Sequence, residues 1–126
     1  MLATCGECHS SNFAKAELEK GDEMIKEIDR LLAEAIHVVA KLYEDGVLEK
    51  PESYAYAFPD LLFFHDAPTV IEQRLFEMHL KHRMRAFQGT FHANPDYALW
   101  YGWSEMQRDL TDIKEMAEQR RKDKAQ

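Results

Sequence analysis

A run of aliphatic residues spaced alternately three and four apart constrains this chain more than any other feature. Ile25, Ile28, Leu32, Ala35, Val39 and Leu42 recur at that interval. The spacing puts one apolar stripe along an α-helix, near the 3.5-residue period by which helices pack in bundles. A helix is therefore predicted from about Phe13 to Glu44. Its remaining faces are charged through Glu17, Glu19, Asp22, Glu23, Lys26 and Arg30. Gly21 is a weak point inside it, and Asp45-Gly46 is a natural stop, because glycine accepts a left-handed C-terminal position. So long a stripe exceeds what a small core covers and calls for neighbouring helices.

Two further helices supply them. Ile71, Leu75, Met78 and His82 share a stripe on a helix predicted over Thr69–Gly89, with Asp66 or Thr69 as cap and Gly89 as terminator. Asn94 caps and Pro95 opens a third helix, which carries Trp103, Met106, Leu110, Ile113 and Ala117 towards Arg120. Beyond Gln119 the sequence is charged and expected to fray. Between the first two helices, Val47–Pro68 holds Pro51, Pro59 and Pro68 together with Tyr54, Tyr56, Phe58, Phe63 and Phe64. So many rings predict an ordered connector packed on an apolar surface. The expected fold is all-α. Three long helices lie in an extended antiparallel, bundle-like arrangement (residues 13–126), preceded by a short segment at 1–12.

With 126 residues the chain suits one domain, and a net charge of -7 argues against a nucleic-acid footprint. The apolar runs are too short to span a membrane. No signal peptide precedes Cys5. The motif that begins there belongs to exported proteins, so the chain is expected to be part of something longer, or a mature start.

Cys5-Gly6-Glu7-Cys8-His9 is a Cys-x-x-Cys-His sequence, the pattern of c-type haem attachment. Two thiols three positions apart reach the two vinyl groups of one porphyrin, and the adjacent imidazole of His9 binds the iron. Three other readings fit less well. A thioredoxin-like pair needs an α/β unit, and a structural zinc site needs a second pair of ligands. A disulfide requires the pattern to be accidental. The cofactor expected is covalent haem c. A sixth iron ligand is sought among His37, His65, His79, His82 and His92. His92 is preferred, at a helix start among aromatic residues. His65 in the aromatic connector is next, and some of these histidines are expected to serve haems carried by other segments.

All the Phe, Tyr and Trp residues except Phe13 and Tyr43 lie between Tyr54 and Trp103. Tyr97 and Tyr101 are four apart and share a helix face, while Trp100 and Trp103 share an adjoining one. Gly102 in mid-helix implies a close approach by some other group.

Taken together, the Cys5–His9 motif, the long helix after it, Gln88-Gly89-Thr90-Phe91-His92-Ala93-Asn94-Pro95-Asp96-Tyr97 and Trp100-Tyr101-Gly102-Trp103 resemble the C-terminal portion of octahaem hydroxylamine oxidoreductases. That group includes the hydroxylamine and hydrazine dehydrogenases. The resemblance spans nearly all of this chain, but only the last haem motif and helical tail of such an enzyme. It implies a homotrimer in which a tyrosine of one subunit is covalently bonded to the catalytic haem of its neighbour, during oxidation of a small nitrogen compound. Here that tyrosine would be Tyr101 or Tyr97, with Tyr101 preferred because a flat ring could approach the backbone at Gly102. The resemblance also implies a redox partner cytochrome and a periplasmic or anammoxosome-type compartment. This chain has one haem motif where the family has eight, so it is not expected to be active alone. Two alternatives stand beside this reading: a small electron-transfer cytochrome c, and a haem-free helical interaction module.

Overall fold

The computed structural model describes residues 1–126, all-helical and without strands. A short helix α1 (Leu2–Cys5) leads into the long α2 (Ser11–Glu44). The second long helix runs as α3 (Val70–Glu77), a π-helical segment (Met78–Arg83) and α4 (Met84–Phe91). The third runs as α5 (Pro95–Tyr97), a second π-helical segment (Ala98–Trp103) and α6 (Ser104–Ala125). The three-helix expectation holds, and each long helix begins within two residues of its predicted start.

Local chemistry sets the ends. Ser10 caps α2 by accepting from the Phe13 N–H at 3.2 Å. Gly46 ends it at φ +63°, a left-handed conformation that glycine adopts without a Cβ penalty. The Val47 and Leu48 N–H groups then fold back to the Leu42 carbonyl at 2.8 and 3.1 Å. Thr69 opens α3 through a capping box in which its N–H donates to Glu72 Oε2 at 2.9 Å. Asn94 caps α5 by accepting from the Tyr97 N–H at 3.1 Å, with Pro95 in the first turn.

The core follows the stripes. Ile28, Leu31, Ala35, Val39 and Leu42 of α2 meet Ile71, Leu75 and Met78 of the second helix and Met106, Ile113 and Ala117 of the third. Leu32 and Leu110 complete the stripes at slightly greater exposure. Small residues bring the second and third helices together at their turn. A Cβ on Gly89 would lie 2.6 Å from the Ala98 nitrogen, and one on Gly102 would collide with the Ala86 backbone. Gly89 therefore does not end its helix, which runs on to Phe91; it is a contact point between helices.

The connector departs from expectation. Tyr54 is buried and donates to the Asp66 carbonyl at 2.6 Å, and burial pushes its phenol up to about 12. Leu48 and Pro59 are buried with it. Tyr56, Phe58, Phe63 and Phe64 stay exposed, with Tyr56 and Phe58 stacked on each other at 5.3 Å. One ring anchors the loop, and the others cover no core of this chain.

Candidate functional site

The Cys-x-x-Cys-His segment continues α1 as a turn. The Cys8 and His9 N–H groups donate to the Cys5 carbonyl at 3.2 and 2.9 Å. Cys5 is partly buried, while Cys8 and His9 are exposed, and both thiols are free. The reversal into α2 at Ser10 places this turn against the N-terminal part of the long helix. The His9 ring lies 4.8 Å from that of Phe13, tilted by 31°.

The turn forms one wall of a groove of about 450 Å³. Cys5 and His9 line it, with Phe13 and Leu18 from α2 and Phe87 and Phe91 from α4. That volume and this apolar lining are those of a small-molecule or cofactor site. The upper half of α2 is exposed on most faces where it passes the groove, so the overlong stripe finds its use here: Ile25 lines the groove while Ile28 begins the core.

The residues fit haem by the chemistry of their donors. A thiol and an imidazole from the motif meet on one wall of an apolar cleft, the donor set that anchors a porphyrin and ligates its iron.

The proposed sixth ligands lie elsewhere. His92 is exposed, and its neighbours Phe91 and Ala93 line the groove while it does not. Its Nδ1 lies 2.9 Å from the Gln88 carbonyl. A carbonyl only accepts, so Nδ1 is the donor in this contact, and Nε2 is the ring nitrogen left without a partner. His65 is exposed between Phe63 and Phe64, away from the groove. His37 is exposed on α2. His79 is half-buried, and burial with the Arg83 charge lowers its pKa.

Tyr97 and Tyr101 come together as their spacing requires, ring centroids 5.2 Å apart. Tyr101 is 56% exposed and Trp100 71% exposed, both on the second π-helical segment. Gly102 does not serve them: the group that approaches it is the Ala86 backbone of the neighbouring helix, so the space beside Tyr101 is not opened for a flat ring.

Sequence reasoning assigned no partner to the most deeply placed polar pair. His82, at the inner face of the first π-helical segment, is hydrogen-bonded through Nδ1 to the fully buried Asp109 of α6. Burial raises the pKa of the Asp109 carboxyl, with the His82 hydrogen bond and the Arg74 charge opposing. Glu77 Oε1 and Glu105 Oε2 lie 3.9 and 3.8 Å from His82 Nε2. The signal was present: His82 and Asp109 are polar residues on or beside apolar stripes.

Residues 1–53 match the family model described as "Seven times multi-haem cytochrome CxxCH". The cofactor that goes with this match is haem c, covalently bound, with its iron. Over 94% of its length the chain is 26% identical to a "Probable nitrite reductase-hydroxylamine oxidoreductase fusion protein" of Kuenenia stuttgartiensis. The chain spans 18% of that relative's length. No solved structure matches. These likenesses support a multihaem cytochrome. No helix is long and apolar enough to cross a membrane.

Proposed function

We propose that this chain is the C-terminal, haem-bearing part of a hydroxylamine oxidoreductase-like multihaem cytochrome c, transferring electrons within a larger assembly. The observation that carries this reading is the apolar groove with Cys5 and His9 on one wall. Haem bound there supplies one-electron iron chemistry. Cys5 and Cys8 anchor it through thioethers, and His9 is the iron ligand, held beside Phe13. Phe13, Leu18, Ile25, Phe87 and Phe91 keep water from its faces. His92 is exposed with Nδ1 held by the Gln88 carbonyl, which suits its Nε2 to ligate a haem carried by another segment.

The remainder of the reading concerns the assembly. Tyr101, or its neighbour Tyr97, is the phenol that bonds covalently to the catalytic haem of an adjoining subunit in a homotrimer oxidising hydroxylamine or hydrazine. Its support is the exposure of Tyr101 and Trp100, together with the likeness to a relative named for hydroxylamine oxidoreductase. The compartment is periplasmic or anammoxosome-like, and a second cytochrome accepts the electrons. The chain alone does not carry the activity.

An intact-mass spectrum and an absorption spectrum of the chain, produced with haem-attachment machinery, test the first part. One added haem with c-type bands is expected, and both disappear in Cys5→Ala/Cys8→Ala. A bare mass under those conditions favours the second reading, a haem-free helical interaction module. One feature favours that alternative: no residue of the first thirteen is buried in the core.

A further inference from the structure

We propose that Phe13 is a positioning residue for the iron ligand, holding the His9 imidazole in one orientation through contact between the two rings. The role rests on the reading of His9 as the ligand of a haem at this motif.

The backbone brings the two rings together. His9 is the last residue before the cap of α2, and its N–H donates to the Cys5 carbonyl at 2.9 Å. On its other side Ser10 is extended, at φ -65° and ψ 149°. The Ser10 hydroxyl oxygen accepts from the Phe13 N–H at 3.2 Å, and its carbonyl accepts from the Ala14 N–H at 3.1 Å. Ala14 is buried, which anchors this first turn to the body of the chain. Side chains on either side of a helix cap pack together in this way and fix the angle at which the chain enters the helix. Here the outer member of the pair is the imidazole.

The ring centroids lie 4.8 Å apart with their planes tilted by 31°. That separation is one of attractive contact between aromatic rings. Rings this close and nearer to parallel than to edge-on meet face to face in part. The nitrogens lie on the edge of an imidazole, so such a contact does not compete with ligation. A ligating imidazole is ordinarily oriented by a hydrogen bond on its second nitrogen. His82 and His92 have a bond of that kind, through Nδ1 to Asp109 and to the Gln88 carbonyl. His9 has the Phe13 ring. Phe13 is 49% exposed and stands outside the apolar core, so its place beside His9 in the groove wall is the contact its ring serves.

The test is the proton NMR spectrum of the ferric, haem-loaded chain for wild type, Phe13→Leu and Phe13→Tyr. The spread of the paramagnetically shifted haem methyl resonances reports the plane of the axial imidazole, and a loss of stability alone leaves that spread in place. Phe13→Leu keeps an apolar side chain in the groove and removes the flat ring. Its methyl resonances should shift and divide into more than one set, at an unchanged haem mass. Phe13→Tyr, which restores the ring, should return the wild-type pattern. A wild-type pattern in haem-loaded Phe13→Leu, or a Phe13→Tyr pattern like that of Phe13→Leu, overturns the positioning role and leaves the haem site standing. A wild-type chain that takes up no haem overturns both. If Phe13→Leu takes up no haem, Ser10→Ala decides, because it frees the Phe13 N–H and leaves every side chain of the groove in place. A changed methyl spread in Ser10→Ala then supports the role, and the wild-type spread overturns it.

Discussion

His82 and Asp109, 27 residues apart on different helices, are hydrogen-bonded to each other in the core between the second and third helices. Each is nearly or fully inaccessible to solvent. Removing Asp109 takes away the only hydrogen bond of the buried His82 Nδ1, with Glu77 and Glu105 no nearer than 3.8 Å to its other nitrogen. Asp109→Ala is therefore expected to cost about 3–5 kcal/mol, the usual penalty for breaking a buried pair from one side. Replacing both, as His82→Leu with Asp109→Val, is expected to cost clearly less, because no uncompensated polar group remains. Urea unfolding of the wild type and these two variants measures this. A double variant as unstable as Asp109→Ala would mean that the pair contributes by shape instead of by polar satisfaction.

The same burial sets a pH dependence. The Asp109 carboxyl has its pKa raised in the folded chain, chiefly by desolvation, with His82 pulling the other way. In the window between the ordinary aspartate value and that raised value, the folded state holds a proton the unfolded chain has lost. Stability contributed by the protonated form is present below the window and is lost as pH rises through it. Asp109→Asn should remove this falling limb from a plot of unfolding free energy against pH. If the limb persists unchanged in Asp109→Asn, another group causes it.

Two glycines of the helices should respond oppositely to alanine. At Gly21 the new Cβ meets only the Thr90 methyl, at 3.3 Å. A side-chain methyl yields by a few tenths of an ångström, and the helix gains about 1 kcal/mol from alanine's propensity. Gly21→Ala should be neutral or stabilising. At Gly102 the obstacle is the Ala86 backbone, which does not yield without separating two helices. Overpacking there should cost about 1–3 kcal/mol, outweighing the propensity gain. Thermal unfolding monitored by circular dichroism separates the two.

The helices were legible because their information is local. The three/four stripe, the cap at Asp66 or Thr69, Asn94-Pro95 and Asp45-Gly46 each act within a turn of themselves. What escaped depends on a second element. Gly102 announces that something comes close, yet only the crossing of two helices says that it is Ala86. His82 stood on the stripe with Ile71, Leu75 and Met78, but Asp109 becomes its partner only when the π-helical turn aims it inward. The connector rings read as packed on an apolar surface because aromatic residues usually are, and of them Tyr54 is the one that is buried, its hydroxyl satisfied by the Asp66 carbonyl. The groove joins α1, α2 and α4, and no single window of sequence contains it.

Haem and fold should separate cleanly. The buried residues run from Ala14 to Ala117, and the motif contributes none of them. A Cys5→Ala/Cys8→Ala chain is therefore expected to keep the helical circular-dichroism spectrum and a cooperative unfolding transition. Only local order around the groove should be lost, visible as faster proteolysis before Ala14. Global loss of helix in that variant would mean that the cofactor nucleates the bundle.

The tyrosine assignment makes the last prediction. Tyr101 is mostly exposed on a π-helical segment, next to the still more exposed Trp100, whereas Tyr97 is half-buried. A phenol that bonds to a group on another subunit must project from its own, which favours Tyr101. Gly102 no longer contributes to that choice, since Ala86 fills the space beside it. In the full-length protein, Tyr101→Phe is expected to abolish a covalent link between subunits, detected as loss of the cross-linked peptide by mass spectrometry. Tyr97→Phe should retain it, because the neighbouring ring, tilted by 38° at 5.2 Å, supports Tyr101 without forming the bond. Survival of the link in Tyr101→Phe with its loss in Tyr97→Phe would reverse the assignment. Absence of any link in the wild-type protein would remove the cross-linking role from both.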